Sequence, residues 1–63
     1  MPHVTIEGPS IKDMDKKRKL VADMTAAATQ AYGVPKEAIS VLIKENSPEN
    51  VGIAGILIAD RHK

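Results

Sequence analysis

Apolar and polar residues alternate at the start of the chain, and this pattern predicts a β-strand. Within Pro2–Glu7, Val4 and Ile6 share one face, while polar side chains occupy the other. Gly8 and Pro9 should end the strand, because glycine is conformationally permissive and proline lacks an amide donor. The first element is therefore a half-buried strand.

A helical pattern follows, and it predicts an amphipathic helix from about Met14 to Tyr32. Asp13 precedes it as an N-cap, and its carboxylate should accept hydrogen bonds from the first free amides. Gly33 suits a left-handed C-cap, and Pro35 cannot continue the helix. The apolar stripe recurs every three or four residues, at Leu20, Val21, Met24, Ala27, Ala28 and Ala31.

A second strand is predicted at Ile39–Glu45, and it is apolar on both faces. Ile39, Val41 and Ile43 occupy one face and Leu42 the other, so both faces should be covered. The single long helix covers only one of them, so the other should meet another subunit. Strand, helix and strand together predict a right-handed β-α-β unit with parallel strands.

The last apolar segment, Val51–Ile58, contains two glycines that weaken it as an ordinary strand. We interpret it as a short hairpin or extended arm whose apolar side packs on a neighbouring subunit. The fold class is therefore α+β, in one domain spanning residues 1–63.

Composition supports self-association. A chain of 63 residues has a marginal core, and the sequence contains no cysteine for disulfides or thiolate zinc sites. His3 and His62 lie at opposite ends without ligand spacing, so we expect solvated residues, no metal and no cofactor.

Charge and hydropathy exclude other classes. The net charge of +1 argues against nucleic-acid binding. No apolar run reaches the roughly 20 residues of a membrane span, and no signal-peptide core is found, so we expect a cytoplasmic protein. The basic run Lys16–Lys19 is interpreted as a solvated helix face, with a substrate-anion role for one member as the alternative.

Pro2 carries the most distinctive chemistry. By itself, a proline after Met1 indicates only the beginning of an edge strand. Removal of Met1, however, would leave a secondary amine, and α-amino groups have pKa values of about 7.7–8.0, nearer neutrality than lysine. Burial or nearby cations lower such a pKa further, which favours a general base.

Several segments carry a family resemblance: Met1-Pro2 opening a strand, Lys17 with Leu20-Val21, Gly33-Val34-Pro35, Ser40 to Glu45, and Asn50 to Gly55. In this order and without gaps, they resemble the 4-oxalocrotonate (2-hydroxymuconate) tautomerase family. The resemblance implies a β-α-β fold with a C-terminal hairpin, assembled as a homohexamer or related trimer of dimers. It also implies an enzyme of aromatic compound catabolism that needs no cofactor, with Pro2 as the general base for enol–keto tautomerisation of 2-hydroxymuconate or a similar acid.

The supporting positions depart from the family pattern. Lys12 stands where the family has an arginine that binds a substrate carboxylate, and Ser40 where a second arginine comes from a neighbouring subunit. Val51 replaces a shielding aromatic residue. Arg18 and Arg61, the chain's two arginines, are candidates to replace the missing cation, or are surface side chains.

These departures leave three functions open. The first is an isomerase acting on a small anionic substrate, either a 2-hydroxymuconate-like diacid or a related unsaturated acid. The second keeps Pro2 but performs hydration, dehalogenation or decarboxylation of an unsaturated acid, as other branches of the superfamily do. The third is a non-catalytic oligomeric scaffold.

Overall fold

The computed structural model describes residues 1–62 and contains the predicted β-α-β unit followed by a hairpin. Strand β1 spans His3–Gly8, helix α1 spans Met14–Tyr32, and strand β2 spans Ser40–Glu45. The hairpin consists of β3, Gly52–Ile53, and β4, Ile56–Leu57. Short 3-10 turns occupy Lys36–Ala38, Pro48–Asn50 and Ile58–His62.

Helix α1 has the predicted bounds because both of its ends are capped. The Asp13 carboxylate accepts hydrogen bonds from the amides of Asp15 at 2.9 Å and Lys16 at 3.4 Å. At the other end, Gly33 adopts φ 65° and ψ 35°, and its amide donates to the Thr29 carbonyl at 2.8 Å.

The two long strands pair in parallel, as predicted, with His3 opposite Ser40 and Val4 opposite Val41. The apolar side chains on the face of Val4 and Val41 are half-buried, whereas the side chains on the opposite face are exposed. Leu42 lies on this open face with 45% of its surface exposed. One side of the sheet is therefore covered within the protomer and the other is not.

The isolated protomer is thin and unusually exposed. It measures 46 × 24 × 12 Å, with a radius of gyration of 15.2 Å, whereas about 11 Å is expected for a folded chain of this length. Its accessible surface is 4952 Å², whereas a folded monomer of this mass exposes about 4,000 Å². Ala28 alone is buried among the described residues. The excess resembles one partner's share of a standard protein interface.

The hairpin turn is made by two residues with positive φ, Ala54 at 55° and Gly55 at 81°. Such a pair matches the twist of the flanking strands in a type I′ turn. The ladder places Ile53 opposite Ile56, and the Ile58 amide donates to the Val51 carbonyl at 2.8 Å. The short, apolar hairpin confirms the first of the two forms considered for this segment.

Within residues 1–62, no helix is both long and apolar enough to cross a bilayer.

Candidate active site

Pro2 lies at the amino-terminal end of the parallel sheet, beside the beginning of β2. The Ser40 amide donates to the Pro2 carbonyl at 3.2 Å, so the backbone of Pro2 is held by its carbonyl group alone. Pro2 is half-buried, whereas Met1 protrudes with 92% of its surface exposed. The ladder begins at His3 and makes no use of Met1.

A hydrogen-bonded pair of side chains adjoins Pro2. The Nδ1 atom of His3 lies 2.7 Å from the Oγ atom of Ser40, and both residues are on the open face of the sheet. His3 is exposed, as predicted, but it is also hydrogen-bonded. Sequence reasoning missed this pair, although both residues lie at the first position of their strands, where parallel pairing brings them together.

Lys12 and Val51 lie at the other end of the sheet. Lys12 follows β1 and precedes α1, while Val51 lines a cleft of about 440 Å³ beyond the carboxyl ends of the strands. The other lining residues are Glu7, Gly8, Pro9, Asn46, Pro48 and Ile58. Six residue steps along β1 separate Pro2 from this cleft, about 20 Å. A single protomer therefore does not bring Lys12 or Val51 to Pro2.

Glu45 anchors the backbone beside Lys12. Its carboxylate accepts hydrogen bonds from Lys17 Nζ and from the Ile11 amide, both at 2.8 Å. These two contacts hold the pKa of the Glu45 carboxyl below its ordinary value, and the Lys17 hydrogen bond has the larger effect. Lys12 is thus flanked by the Asp13 cap, which the sequence predicted, and by the Ile11 tether to Glu45, which sequence reasoning did not identify.

Lys17, Arg18 and Lys19 of the basic run have local partners, as does Arg61. In Lys16–Lys19, Lys17 is half-buried by its contact with Glu45, while the other members are exposed. Arg18 Nη1 lies 3.0 Å from Asp15 at the beginning of α1, also remote from Pro2. Arg61 Nη2 donates to the Ile53 carbonyl at 3.0 Å and so ties the last turn to the hairpin.

No three His, Cys, Asp or Glu side chains come together as a metal site within the described part of the chain. The side chain of His62 lies outside the described residues, so the expectation for it stays a prediction.

Comparison with known proteins identifies a single family. The family model for the tautomerase enzyme matches residues 2–61. A probable tautomerase from Bacillus cereus is 31% identical over 61 residues, which are 97% of this chain and 100% of that protein.

Solved structures share the fold. DmpI from Archaeoglobus fulgidus superposes with a TM-score of 0.83 at 44% identity, covering 94% of this chain and 100% of its own. A heterohexamer 4-oxalocrotonate tautomerase from Chloroflexus aurantiacus J-10-fl gives a TM-score of 0.83 at 27% identity, covering 95% and 97% of the two chains.

Proposed function

This chain belongs to the tautomerase family as a divergent member, and from that premise we propose that it is a proline-dependent isomerase of unsaturated 2-oxo or 2-hydroxy acids. The Pro2 amine, freed by removal of Met1, would act as the general base. The whole chain, residues 1–63, would form one tautomerase domain that works as a homo-oligomer.

The position of Pro2 is the observation that carries the proposal. Its carbonyl accepts from the Ser40 amide, and its nitrogen has no part in the ladder. Met1 is exposed and also lies outside the ladder, so its removal leaves the sheet intact. The amine would then stand at the beginning of a fixed strand, where desolvation by a neighbouring copy would favour its neutral, basic form.

The proposed reaction moves one proton within the substrate. The neutral Pro2 nitrogen takes the proton of the 2-hydroxyl group of a dienol, whose electrons shift to form the 2-oxo group. The resulting ammonium returns the proton to a distant carbon, giving the conjugated ketone and the free amine. Positive charge from Lys12 would hold the substrate carboxylate and stabilise the anionic intermediate.

Two half-sites lie at opposite ends of each protomer, so the proposed site needs two copies. Pro2 is at one end, and Lys12 and the cleft lined by Val51 are about 20 Å away. A neighbouring copy that docks its cleft end against Pro2 would supply both residues. The hexameric relative and the surface excess of the isolated protomer support such an assembly.

The experiment combines intact mass with an assay of enol ketonisation. We expect a mass lacking Met1, and a loss of about 10²-fold or more in kcat/KM for Pro2→Ala. An N-terminal extension that keeps Pro2 as an amide should abolish catalysis. Pro35→Ala is the matched control, because Pro35 caps a short turn outside the sheet. Equal rates for wild type, Pro2→Ala and the extended chain would refute the proposal.

A further inference from the structure

The carboxylate of Glu45 joins three elements of the protomer, and it has no part in the proton transfer described above. It lies at the end of β2, and it accepts hydrogen bonds from Lys17 on α1 and from the Ile11 amide in the β1–α1 loop, residues 9–13. We propose that Glu45 is a positioning residue, which fixes this loop so that Lys12 is held in place to bind a substrate carboxylate. The inference rests on the proposed function, in which Lys12 has that role.

The β1–α1 loop is attached to the end of β2 at two points. Asn46, the residue after Glu45, donates its amide to the Gly8 carbonyl at 2.8 Å, just before the loop. The Ile11 amide donates to the Glu45 carboxylate, also at 2.8 Å, in the second half of the loop. Residues 10–13 belong to neither a helix nor a strand, so the Glu45 side chain gives the Ile11 amide the acceptor that a ladder would otherwise provide.

Lys12 lies between this attachment and the beginning of α1. Ile11 precedes it directly, and the next residue, Asp13, is the N-cap whose carboxylate accepts from two helix amides. Consecutive Cα atoms are about 3.8 Å apart, so anchors on both sides leave the Lys12 backbone little freedom. Lys12 itself is exposed and forms no ion pair within residues 1–62. Its backbone is therefore fixed, while its charge stays available to a ligand.

The contact with Lys17 explains why an acidic residue stands at position 45. Lys17 Nζ lies 2.8 Å from Oε2 of Glu45, the same oxygen atom that accepts from the Ile11 amide. Lys17 holds the pKa of the Glu45 carboxyl below its ordinary value, so the carboxylate is ionised at pH 7. Hydrogen bonds to an ionised acceptor are roughly twice as strong as those between neutral groups. The Ile11 amide is therefore bound more firmly than it would be by a neutral side chain.

The test measures ketonisation of 2-hydroxymuconate by the assembled protein and by variants of Glu45. We expect Glu45→Ala to raise KM about 5- to 20-fold, because the freed loop must lose the entropy of about one backbone residue when the substrate binds. The change in kcat should be smaller, because the Pro2 amine is untouched. Glu45→Gln keeps an oxygen that accepts from the Ile11 amide but loses the charge, so its KM should lie between those of wild type and Glu45→Ala.

A double-variant cycle with Lys12 separates positioning from a general loss of structure. In a Lys12→Ala background no amino group is left to position, so adding Glu45→Ala should change KM by less than about 2-fold. A purely structural role would instead multiply the two losses. Asp23→Ala is the matched control, because Asp23 also pairs with a lysine, Lys19 at 2.9 Å, but on the exposed surface of α1. It should leave KM unchanged.

The outcomes separate the two proposals. Sedimentation and circular dichroism identify any variant that fails to fold or assemble, and Glu45→Gln takes the place of Glu45→Ala in the cycle if that variant does. Activity that requires Pro2, with KM losses from Lys12 and Glu45 that multiply in the double variant, would overturn this inference alone. A wild-type KM in Lys12→Ala or in the Glu45 variants would also overturn it. Activity that does not depend on Pro2 would overturn the proposed function, and this inference with it.

Discussion

Three apolar side chains of the β3–β4 hairpin remain exposed on the single protomer. Ile53, Ile56 and Leu57 expose 56%, 49% and 43% of their surface. We expect the double substitution Ile53→Ser with Ile56→Ser to weaken the assembly. It should also lower the activity, because Lys12 reaches a Pro2 amine only from a neighbouring copy in the proposed site.

The magnitude follows from the area left to bury. Full burial of an isoleucine side chain stabilises by roughly 1.5–3 kcal/mol. Since Ile53 and Ile56 are each about half exposed, covering the remainder should contribute about 1 kcal/mol per side chain. Losing both weakens each hairpin contact by about 2 kcal/mol. A two-fold interface contains this contact twice, so the dissociation constant should rise by roughly 10³.

Sedimentation velocity and specific activity, both measured against protein concentration, are the assays. The variant should dissociate at a concentration roughly 10³-fold higher than wild type does, and its specific activity should fall over the same range. Met14→Ser is the control, because Met14 is 52% exposed on the helix rather than the hairpin. If the double variant kept the wild-type mass and activity at every dilution, the hairpin would not be an assembly contact.

Three further outcomes are expected. Ala54→Asn should raise the free energy of unfolding by about 0.5–1 kcal/mol, because asparagine tolerates the positive φ better; an unchanged melting temperature would contradict this. Glu45→Gln should destabilise the fold at pH 7. Lys17 lowers the pKa of the Glu45 carboxyl, so the ionised carboxylate stabilises the fold, and this stabilisation is lost as pH falls through the lowered pKa. Wild type and variant should therefore melt alike in acid. A difference in melting temperature that does not change with pH would refute this reasoning. Lys12→Ala should raise KM more than it lowers kcat, with Lys36→Ala as control, and the reverse pattern would assign Lys12 to the transition state.

Local signals in the sequence were enough to predict the helix, and they were less exact for the strands. Both ends of α1 are set by side chains next to it, Asp13 and Gly33, so its bounds were predicted correctly. β1 begins one residue later than predicted because Pro2 has no amide to donate. β2 also begins one residue later than predicted, because the Ile39 amide donates to the Lys36 carbonyl at 3.1 Å and closes a 3-10 turn.

The candidate site was only partly predictable. Pro2 was singled out by its potential amine, whereas Lys12, Ser40 and Val51 came from the family resemblance, which does not say which of them share an end of the protomer. The contact between His3 and Ser40 joins residues 37 positions apart. It depends on the register of two strands. The apolar–polar alternation fixes the face on which each side chain lies, but a shift of two residues keeps that alternation, so it does not select this pair.

The exposed open face and the divided site have one physical explanation. A sheet of two strands with one helix covers half of its own surface, so we expect another copy to cover the rest. An antiparallel arrangement of two copies would place the Pro2 end of one beside the cleft end of the other, and two-fold symmetry would repeat the contact. We therefore expect the contacts that complete the core to complete the site as well, so that a dissociated protomer would lack both stability and activity.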